Sequence, residues 1–525
     1  RSRSRDMTGQ RAATQTLPSF DPATGAVVGE VRSAMPDEVR RAVARARAAQ
    51  PGWAAMSVQE RARWMGRVRR RMNLRMDEVL ATICRETGKP RAEAVAHDVL
   101  PSLLTMAYLE RIAPRALRSE RVGTLVAPVL GLSSRIEWRP FGVVGCIAPW
   151  NYPMFLAFMG VVPALLAGNA VVLKPSELTP EVGEVLRDLL EALPEGLATV
   201  VQGGGEIGAA LVDAPCDKLC FIGSAATGRR IAEAAAKHLT PTVMELGGQD
   251  AAVVCGDADL DLASSGILWG AFLNAGQTCC AIERAYVVEP VADRFEDLLV
   301  SKLARLRRGQ DVGPLSVPRQ LDVVRRHVAD AVARGARVLA GGPDGGDEGR
   351  SGLWFAPTVL EGRTRDMALF GEETFGPVLP IVRVRDEDDA IRRANDDGVN
   401  LTASVWSRDR RRARTLASRL AAGTVTINDH ATTAGAPWGL WGGVGESGYG
   451  RLHGVLGVRE FAVPVHVATN ITPKLKRAWW YPYDRATEQA LGAMAQVLST
   501  AGVVRRVRPV ARLAASYVRA VRDKL

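Results

Sequence analysis

The sequence predicts an α/β protein made of more than one domain. Short, β-branched apolar runs alternate with helical segments through most of the chain, which is typical of parallel sheets covered by helices. With 525 residues, the chain is too long for one hydrophobic core. Its composition, 47% hydrophobic and 24% charged residues, is that of a globular protein.

The predicted elements follow one another in a regular order. From about residue 36 to 122, apolar residues recur every three or four positions and predict amphipathic helices, and residues 124–138 predict strands. Strands then alternate with helices, and their runs are GVVGCIAP, NAVVLKP, ATVVQG, DKLCFIG and AAVVC. A second alternating block, from residue 285 to about 430, predicts another α/β domain with the runs RAYVVE, ARVLAGG, VLPIVRV, TASVWS and GTVTIN.

Residues 151–173 carry no charge over a length that would span a bilayer. Two prolines and two asparagines interrupt this segment: Pro153, Pro163, Asn151 and Asn169. We therefore expect a buried helix followed by a buried strand, and not a membrane span.

Charge and cysteine usage narrow the class of protein. The net charge of +11 is concentrated at the two ends of the chain, and residues 474–525 alone hold eleven Lys or Arg against three acidic residues. The neutral charge of the chain between its two ends argues against a nucleic-acid partner.

The seven cysteines are an odd number without paired Cys-x-x-Cys spacing, which predicts reduced thiols and no metal site. No apolar stretch of signal-peptide type follows the basic start RSRSRDMTGQ, so we expect a cytoplasmic protein.

Two turns after predicted strands carry residues suited to hold a dinucleotide. In IGSAATG, the backbone at Gly223 can approach a pyrophosphate, and Ser224 can cap the following helix, whose N-terminus favours negative charge. Lys174 and Glu177 follow another strand, at the sheet edge where ribose hydroxyls bind in open α/β sheets. Each feature has a purely structural alternative, either an ordinary turn or a carboxylate at a helix N-terminus.

Two further stretches contain candidate catalytic groups. Glu245 lies between apolar residues in MELGG, and apolar surroundings raise the pKa of a carboxyl group, which suits a general base. A structural carboxylate before a turn is the alternative. The adjacent cysteines Cys279 and Cys280 follow a Gly-Gln-Thr step in GQTCC, and a buried inert thiol is the ordinary expectation for either.

Seven motifs occur in one order: PWNYP (149–153), LKPSE (173–177), IGSAATG (222–228), MELGG (244–248), GQTC (276–279), EETFGPV (372–378) and ESGYGR (446–451). On these motifs the sequence resembles the aldehyde dehydrogenase superfamily over about residues 17–470. The resemblance implies a Rossmann-like NAD-binding domain, an α/β catalytic domain, a small β oligomerisation element and a homo-oligomer, either a dimer or a tetramer. The implied ranges are 17–123 and 139–247 for NAD binding, 248–445 for catalysis, 124–138 and 461–470 for oligomerisation, and 474–525 for a basic C-terminal extension.

The resemblance also implies the chemistry. Cys279 matches the nucleophile that forms a thiohemiacetal and then a thioester, the side-chain amide of Asn151 and the Cys279 N–H match the oxyanion donors, and Glu245 matches the base that activates water. Cys280 matches a variable neighbour. Around the cofactor, the matching residues are Lys174 and Glu177 at the adenosine ribose, Gly223 and Ser224 at the pyrophosphate, Glu373 and Phe375 at the nicotinamide half, and Trp150 in the lining.

Within this family, Glu177 favours NAD over NADP, because a carboxylate repels a 2′-phosphate. The same cysteine would also serve a CoA-acylating dehydrogenase, although members of that branch generally lack the base that Glu245 matches. The sequence is compatible as well with a semialdehyde dehydrogenase, with a thiol esterase without redox function, and with a protein that has no enzymatic activity. In a protein without enzymatic activity we would expect the nucleophile to be replaced, whereas Cys279 is present.

By resemblance, four residues line the aldehyde tunnel, with plain core positions as the alternative: Tyr152, Phe155, Phe158 and Met159. An apolar tunnel favours aliphatic or aromatic aldehydes over semialdehydes, because it offers a substrate carboxylate no partner. About three extra residues around Leu440 and Trp441 stand near the substrate mouth of relatives. In the C-terminal extension, residues 510–521 predict a basic amphipathic helix that either contacts an anionic membrane surface peripherally or packs on the protein.

Overall fold

The structure is a computed structural model, and it describes residues 15–123, 131–342, 351–362, 366–396, 400–474, 476–477, 479–499, 518 and 520–521. Its contacts divide the chain into two compact units, one formed by residues 1–118 with 138–463 and the other by residues 119–137 with 464–525. The predicted α/β class is confirmed.

The described strands alternate with helices along most of the chain. The strands are β1 (Thr16–Phe20), β2 (Val27–Arg32), β3 (Glu120–Val122), β4 (Leu132–Pro140), β5 (Val143–Ile147), β6 (Ala170–Lys174), β7 (Ala198–Val200), β8 (Lys218–Gly223), β9 (Thr242–Leu246), β10 (Asp250–Val254), β11 (Ile282–Val288), β12 (Arg337–Ala340), β13 (Thr358–Glu361), β14 (Val378–Val384), β15 (Asn400–Trp406), β16 (Ala422–Ile427), β17 (Gly448–Tyr449) and β18 (Ala462–Asn470).

The helices are α1 (Pro36–Ala55), α2 (Val58–Leu74), α3 (Met76–Thr87), α4 (Arg91–Ala94), α5 (Leu100–Ala116), α6 (Pro153–Ala167), α7 (Pro180–Leu190), α8 (Gly205–Asp213), α9 (Ala225–Ala236), α10 (Leu260–Phe272), α11 (Glu289–Leu303), α12 (Pro318–Ala333), α13 (Glu387–Asp396), α14 (Arg410–Ala417), α15 (Gly454–Arg459) and α16 (Arg485–Ser499). A π-helical turn, Val95–Val99, joins α4 to α5.

A six-stranded sheet carries the first half of the predicted motifs. Its strand order is β17-β9-β8-β5-β6-β7, and all neighbours are parallel except the β17–β9 pair. Helices cover both faces, which explains why β6 is apolar at four consecutive positions without alternation. Because parallel strands end at the same edge, the turns after β5, β6, β8 and β9 lie together.

The uncharged segment at residues 151–173 forms α6 and β6, as predicted. Every residue of α6 is buried, and Gly168 ends the helix in the left-handed conformation at φ 101°. Within the described part of the chain, we find no helix that is both long and apolar enough to cross a membrane.

A seven-stranded sheet forms the second α/β layer. Its order is β12-β13-β14-β11-β10-β15-β16, and only β12 runs antiparallel to its neighbour. Successive residues of β10 face opposite sides of the sheet, so Ala251 and Val253 enter one apolar core while Ala252 and Val254 enter the other. The run AAVVC is thus β10 of this sheet, although the sequence grouped it with the first series of strands.

The helical prediction for residues 36–122 is correct through α5 and wrong at its end. Glu120–Val122 form β3, because their backbone pairs with β4 in the register Glu120 to Ile136. The N-terminal hairpin of β1 and β2 and the strands β9, β13 and β17 were also not predicted.

The second unit contains a three-stranded sheet in the order β18-β4-β3. The segment predicted at residues 124–138 therefore does lie beside the segment predicted at residues 461–470, although residues 124–130 are outside the described residues. In the C-terminal extension α16 is described, but most of the predicted helix at residues 510–521 is not. Ala520 is fully buried and clusters with Ala490 of α16, with Val521 packed beside them.

Candidate active site

Two cavities meet at Cys279. The larger, of about 560 Å³, is lined by residues from the ends of β5, β8 and β9 and from the Glu373–Phe375 loop. The smaller, which we call the apolar cavity, has a volume of about 360 Å³ and lies among α5, α6, α10 and residues 431–441. Cys279 is half-buried and lines both cavities, so this residue lies where the two cavities meet.

A strained turn presents Cys279. Asn274, Ala275 and Gly276 are all left-handed, with φ of 53°, 54° and 74°. This conformation costs roughly 1–2 kcal/mol for each non-glycine residue. A Cβ at Gly276 would overlap the Gly376 carbonyl, so only glycine fits there. The buried carboxylate of Glu93 accepts the Asn274 N–H at 2.9 Å and holds the turn.

Asn151 lies at the end of the turn after β5, beside Cys279. Its side-chain amide donates to the Gln277 carbonyl at 3.1 Å, which leaves its second N–H for another acceptor. Its backbone carbonyl accepts from Lys89 at 2.7 Å and from the Asn274 side chain at 3.1 Å. Among the described residues, the Cys279 N–H has no acceptor in the protein. Two N–H donors are thus available beside the thiol.

A buried ion pair supports Asn151. Lys89 and Asp98 are 2.8 Å apart and their side chains are fully buried. The other Asp98 oxygen accepts the N–H groups of Met154 at 3.2 Å and Phe155 at 3.1 Å, at the start of α6. The sequence analysis missed this pair, because one lysine and one aspartate nine residues apart carry no recognisable pattern.

Glu245, near the end of β9, faces the larger cavity. Its side chain is buried, and neither carboxylate oxygen has a hydrogen-bond partner among the described residues. Burial raises the pKa of Glu245 well above its usual range, and nearby Cys220 and Cys279 add to that shift. When it is ionised, this unpartnered carboxylate beside the thiol can take a proton from water.

The Glu373–Phe375 loop closes the larger cavity opposite Glu245. Glu373 is half-buried, one of its oxygens is buried and has no partner in the described structure, and a Cβ at Gly247 would overlap this carboxylate. Burial, together with the neighbouring Glu283, raises the pKa of Glu373. The Phe375 ring meets Trp150 edge-on, with centroids 5.7 Å apart.

Gly223 and Ser224 also line the larger cavity. Ser224 is the N-cap of α9, and its hydroxyl accepts the Thr227 N–H at 3.4 Å. Gly228 lets α9 approach β9, because a Cβ there would overlap the Leu246 side chain. The N-terminus of α9 is therefore fixed at the cavity wall, where its dipole favours an anion.

Lys174 and Glu177 lie at the same sheet edge but do not line the larger cavity, whose lining reaches only to the adjacent Leu178. The buried Lys174 ammonium pairs with Glu177 at 2.9 Å and donates to the Pro175 carbonyl at 3.0 Å. Glu177 itself is partly exposed, so its carboxylate can meet a ligand that extends beyond the cavity.

The larger cavity carries groups suited to the pyrophosphate and nicotinamide half of a dinucleotide. The N-terminus of α9 suits a pyrophosphate, and the unpartnered Glu373 oxygen suits ribose hydroxyls. Cys279 is within the same cavity. We find no cluster of three or more His, Cys, Asp or Glu side chains placed to hold a metal ion in the residues that the structure describes.

The apolar cavity agrees with most of the predicted tunnel. Tyr152, Phe155 and Met159 line it, but Phe158 does not: it is fully buried on another face of α6, and its predicted place in the tunnel is wrong. None of the described lining residues is Lys, Arg, Asp or Glu. Burial, with the Lys89 charge, lowers the pKa of His97, so this lining residue is neutral at neutral pH.

The extra residues near Leu440 and Trp441 shape the same cavity. The Trp441 side chain is buried and lines both cavities, and its backbone exchanges two hydrogen bonds with Leu452 at 3.0 and 2.8 Å. Leu440 is half-exposed. Leu100, Leu104, Trp269 and Trp438 are exposed yet line the cavity, so its mouth is apolar as well.

Known proteins are similar to this chain in sequence and in fold. The sequence profile described as "Aldehyde dehydrogenase family" matches residues 10–467. The chain is 39% identical over 475 residues to 4,4'-diapolycopene aldehyde oxidase of Methylomonas sp., covering 89% of this chain and 88% of the relative. It is 38% identical over 480 residues to a Mycolicibacterium smegmatis protein provisionally named succinate-semialdehyde dehydrogenase [NADP(+)], covering 88% and 91%.

Solved structures with a similar fold point to the same family. A Mycobacterium tuberculosis aldehyde dehydrogenase complexed with NAD+ superposes with a TM-score of 0.82 at 33% identity, covering 88% of this chain and 95% of that one. PnpE from Pseudomonas sp. WBC-3 superposes with a TM-score of 0.82 at 31% identity, covering 87% and 94%. The chain therefore belongs to the aldehyde dehydrogenase family, whose members oxidise aldehydes with a nicotinamide cofactor.

Proposed function

We propose that this enzyme oxidises an apolar aldehyde to its carboxylic acid with NAD, using Cys279 as the nucleophile, Asn151 as an oxyanion donor and Glu245 as the general base. One observation carries the proposal: Cys279 lies where a cavity with unpartnered carboxyl groups meets a cavity with an apolar lining.

The proposed reaction has two steps, formation of a thioester on Cys279 and its hydrolysis. The Cys279 thiolate adds to the aldehyde carbon, while the Asn151 amide and the Cys279 N–H stabilise the oxyanion. When bound, the nicotinamide ring supplies the acceptor for the hydride that leaves this carbon. The resulting thioester on Cys279 is then hydrolysed: Glu245 removes a proton from water, the water oxygen bonds to the acyl carbon, and the Cys279 thiolate leaves.

The substrate class follows from the lining of the apolar cavity. Succinate semialdehyde carries a carboxylate, and the described lining offers it no lysine, arginine or charged histidine. The exposed apolar side chains at the mouth, such as Trp438, suit a hydrocarbon chain that continues beyond the cavity. These features favour lipophilic aliphatic or aromatic aldehydes over semialdehydes.

The preference for NAD rests on Glu177. Its partly exposed carboxylate follows β6, where an adenosine ribose would approach, and it would repel a 2′-phosphate. Lys174 offsets part of that negative charge at 2.9 Å. We therefore expect a preference for NAD and not an absolute exclusion of NADP.

The roles of the domains, the oligomer and the extension are proposals too. We propose NAD binding by residues 17–123 and 139–247, catalysis by 248–445, and a dimer or tetramer formed through 124–138 and 461–470.

For the extension, residues 474–525, we propose packing on its own chain, since Ala520 clusters with Ala490. Peripheral membrane contact is the competing arrangement. Co-sedimentation of the full chain with anionic vesicles at low salt, and its release by salt, would favour membrane contact.

NADH formation measured at 340 nm tests the proposed function. Purified enzyme would be offered aliphatic aldehydes of increasing chain length, benzaldehyde and succinate semialdehyde, with and without CoA. We expect turnover without CoA, and kcat/KM that rises with chain length and is lowest for succinate semialdehyde. A strict requirement for CoA would favour a CoA-acylating dehydrogenase. If no aldehyde gives NADH while the enzyme hydrolyses 4-nitrophenyl acetate in a parallel assay, a thiol esterase would be favoured.

A further inference from the structure

A buried carboxylate connects the nucleophile segment to the loop that closes the larger cavity. Glu283 lies on β11, four residues after Cys279, and only 4% of its surface is exposed. Its carboxylate oxygens accept the N–H of Thr374 at 2.9 Å and the N–H of Phe375 at 2.7 Å. Each oxygen thus holds one of two successive peptide groups.

The loop held in this way has an unfavourable backbone conformation. Phe375 has φ of 48°, a left-handed value that an aromatic residue rarely adopts. Such a conformation persists only where the surroundings enforce it. It brings the Phe375 ring edge-on to Trp150 and places Glu373, with its unpartnered oxygen, in the wall of the cavity.

We propose that Glu283 is a positioning residue that holds the Glu373–Phe375 loop in the geometry that receives the nicotinamide half of the dinucleotide. This inference rests on the proposed cofactor site. Glu283 does not line the larger cavity, so it acts through the loop and not by touching the ligand.

The carboxylate of Glu283 offers two acceptor oxygens to the two N–H groups, whereas the side-chain amide of a glutamine offers only one. In Glu283→Gln, one oxygen still accepts an N–H, but the NH2 group faces the other N–H donor. One hydrogen bond is lost and a buried donor is left without a partner, which we expect to release the loop. Burial raises the pKa of Glu283 to about 7, so the carboxylate is ionised in an experiment at pH 8.5.

The chain contains a matched control. The buried carboxylate of Glu86 accepts two successive N–H groups, those of Glu181 at 2.9 Å and Val182 at 2.8 Å, at the start of α7. Burial also raises its pKa to about 7. The Ser19 hydroxyl also donates to Glu86 at 2.6 Å. Glu86→Gln therefore makes a similar change in a different backbone segment, with one more donor affected.

The test compares NAD with AMP, which lacks the nicotinamide half. Dissociation constants of both would be measured by isothermal titration calorimetry at pH 8.5 for wild type, Glu283→Gln, Glu283→Asp and Glu86→Gln, with thermal denaturation to confirm folding. For Glu283→Gln we expect the ratio of the NAD to the AMP constant to rise roughly tenfold, as for the loss of one buried hydrogen bond. Glu283→Asp keeps two acceptor oxygens on a shorter arm, so its ratio should lie between those of wild type and Glu283→Gln.

An unchanged ratio in Glu283→Gln would overturn the inference, and so would an equal rise in Glu86→Gln. If Glu283→Gln does not fold, Glu283→Asp decides, and a wild-type ratio in that variant overturns the inference. Wild-type protein that binds neither nucleotide would instead contradict the proposed cofactor site itself.

Discussion

Replacing Lys89 by methionine tests how the buried ion pair supports Asn151, the proposed oxyanion donor. Lys89→Met removes a charged hydrogen bond of 2.7 Å to the Asn151 carbonyl and the partner of Asp98. A hydrogen bond to a charged group contributes about 1.5–3 kcal/mol, which corresponds to roughly 10- to 100-fold in rate if all of it holds Asn151 in place. The upper limit is the loss of the Asn151 donor itself, about 10²–10³-fold in kcat.

The same substitution leaves Asp98 buried without its cation, which typically destabilises a protein by about 3–5 kcal/mol. The double variant Lys89→Met/Asp98→Asn removes that charge while one side-chain oxygen still accepts the N–H groups at the start of α6. We therefore expect the double variant to regain much of the thermal stability but little of kcat, because Asn151 still lacks its lysine.

The assay combines kcat at saturating substrate, thermal denaturation and the rate of Cys279 alkylation by iodoacetamide. Alkylation should stay near the wild-type rate, since the thiol itself is not altered. Recovery of kcat together with stability in the double variant would refute the positioning role. Wild-type kcat in Lys89→Met would refute it as well.

Four further predictions follow from the same geometry. Cys279→Ala should abolish aldehyde oxidation while Cys280→Ala retains most of it, and substantial NADH formation by Cys279→Ala would contradict the assignment. Glu245→Gln should give a rapid burst of NADH followed by slow turnover in stopped-flow measurements, because the proposed base acts after hydride transfer; equal slowing of both phases would argue against this role. A higher kcat/KM with NADP than with NAD would refute the effect ascribed to Glu177. Light scattering at micromolar concentration should show a dimer or tetramer, and a monomer would exclude the proposed oligomerisation element.

Residues in local motifs could be found from the sequence. Gly223 ends β8, Ser224 follows it, and Glu245 lies in β9 just before a Gly-Gly turn, so a short stretch of chain contains both the strand end and the turn. Their burial and their place beside Cys279 depend on sheet order, and strands that are parallel neighbours bring distant motifs to one edge.

The residues that support the candidate site through distant contacts could not be found from local sequence motifs. Lys89 contacts Asn151 and Glu283 contacts Phe375 across 62 and 92 residues, and single charged residues at such separations give no pattern to detect. Phe158 was misplaced for a different reason. Every residue of α6 is buried, so the sequence has no polar face to show which apolar side chains meet the cavity and which meet the core.

Short strands were missed because they form only by pairing with strands that are distant in the sequence. The two residues of β17 pair with β9 across about two hundred residues, and Gly448 fits there because a Cβ would overlap the Met244 carbonyl. Nothing in the local sequence distinguishes these two residues from a loop.

The covalent intermediate gives the most direct test of the central claim that Cys279 carries the acyl group. Glu245→Gln enzyme would be mixed with NAD and a lipophilic aldehyde, quenched in acid, digested and examined by mass spectrometry. We expect an acyl thioester on Cys279 that requires NAD and is absent from the Cys279→Ala, Glu245→Gln double variant. An acyl group on Cys280, or no adduct while the first turnover still forms NADH, would contradict the account.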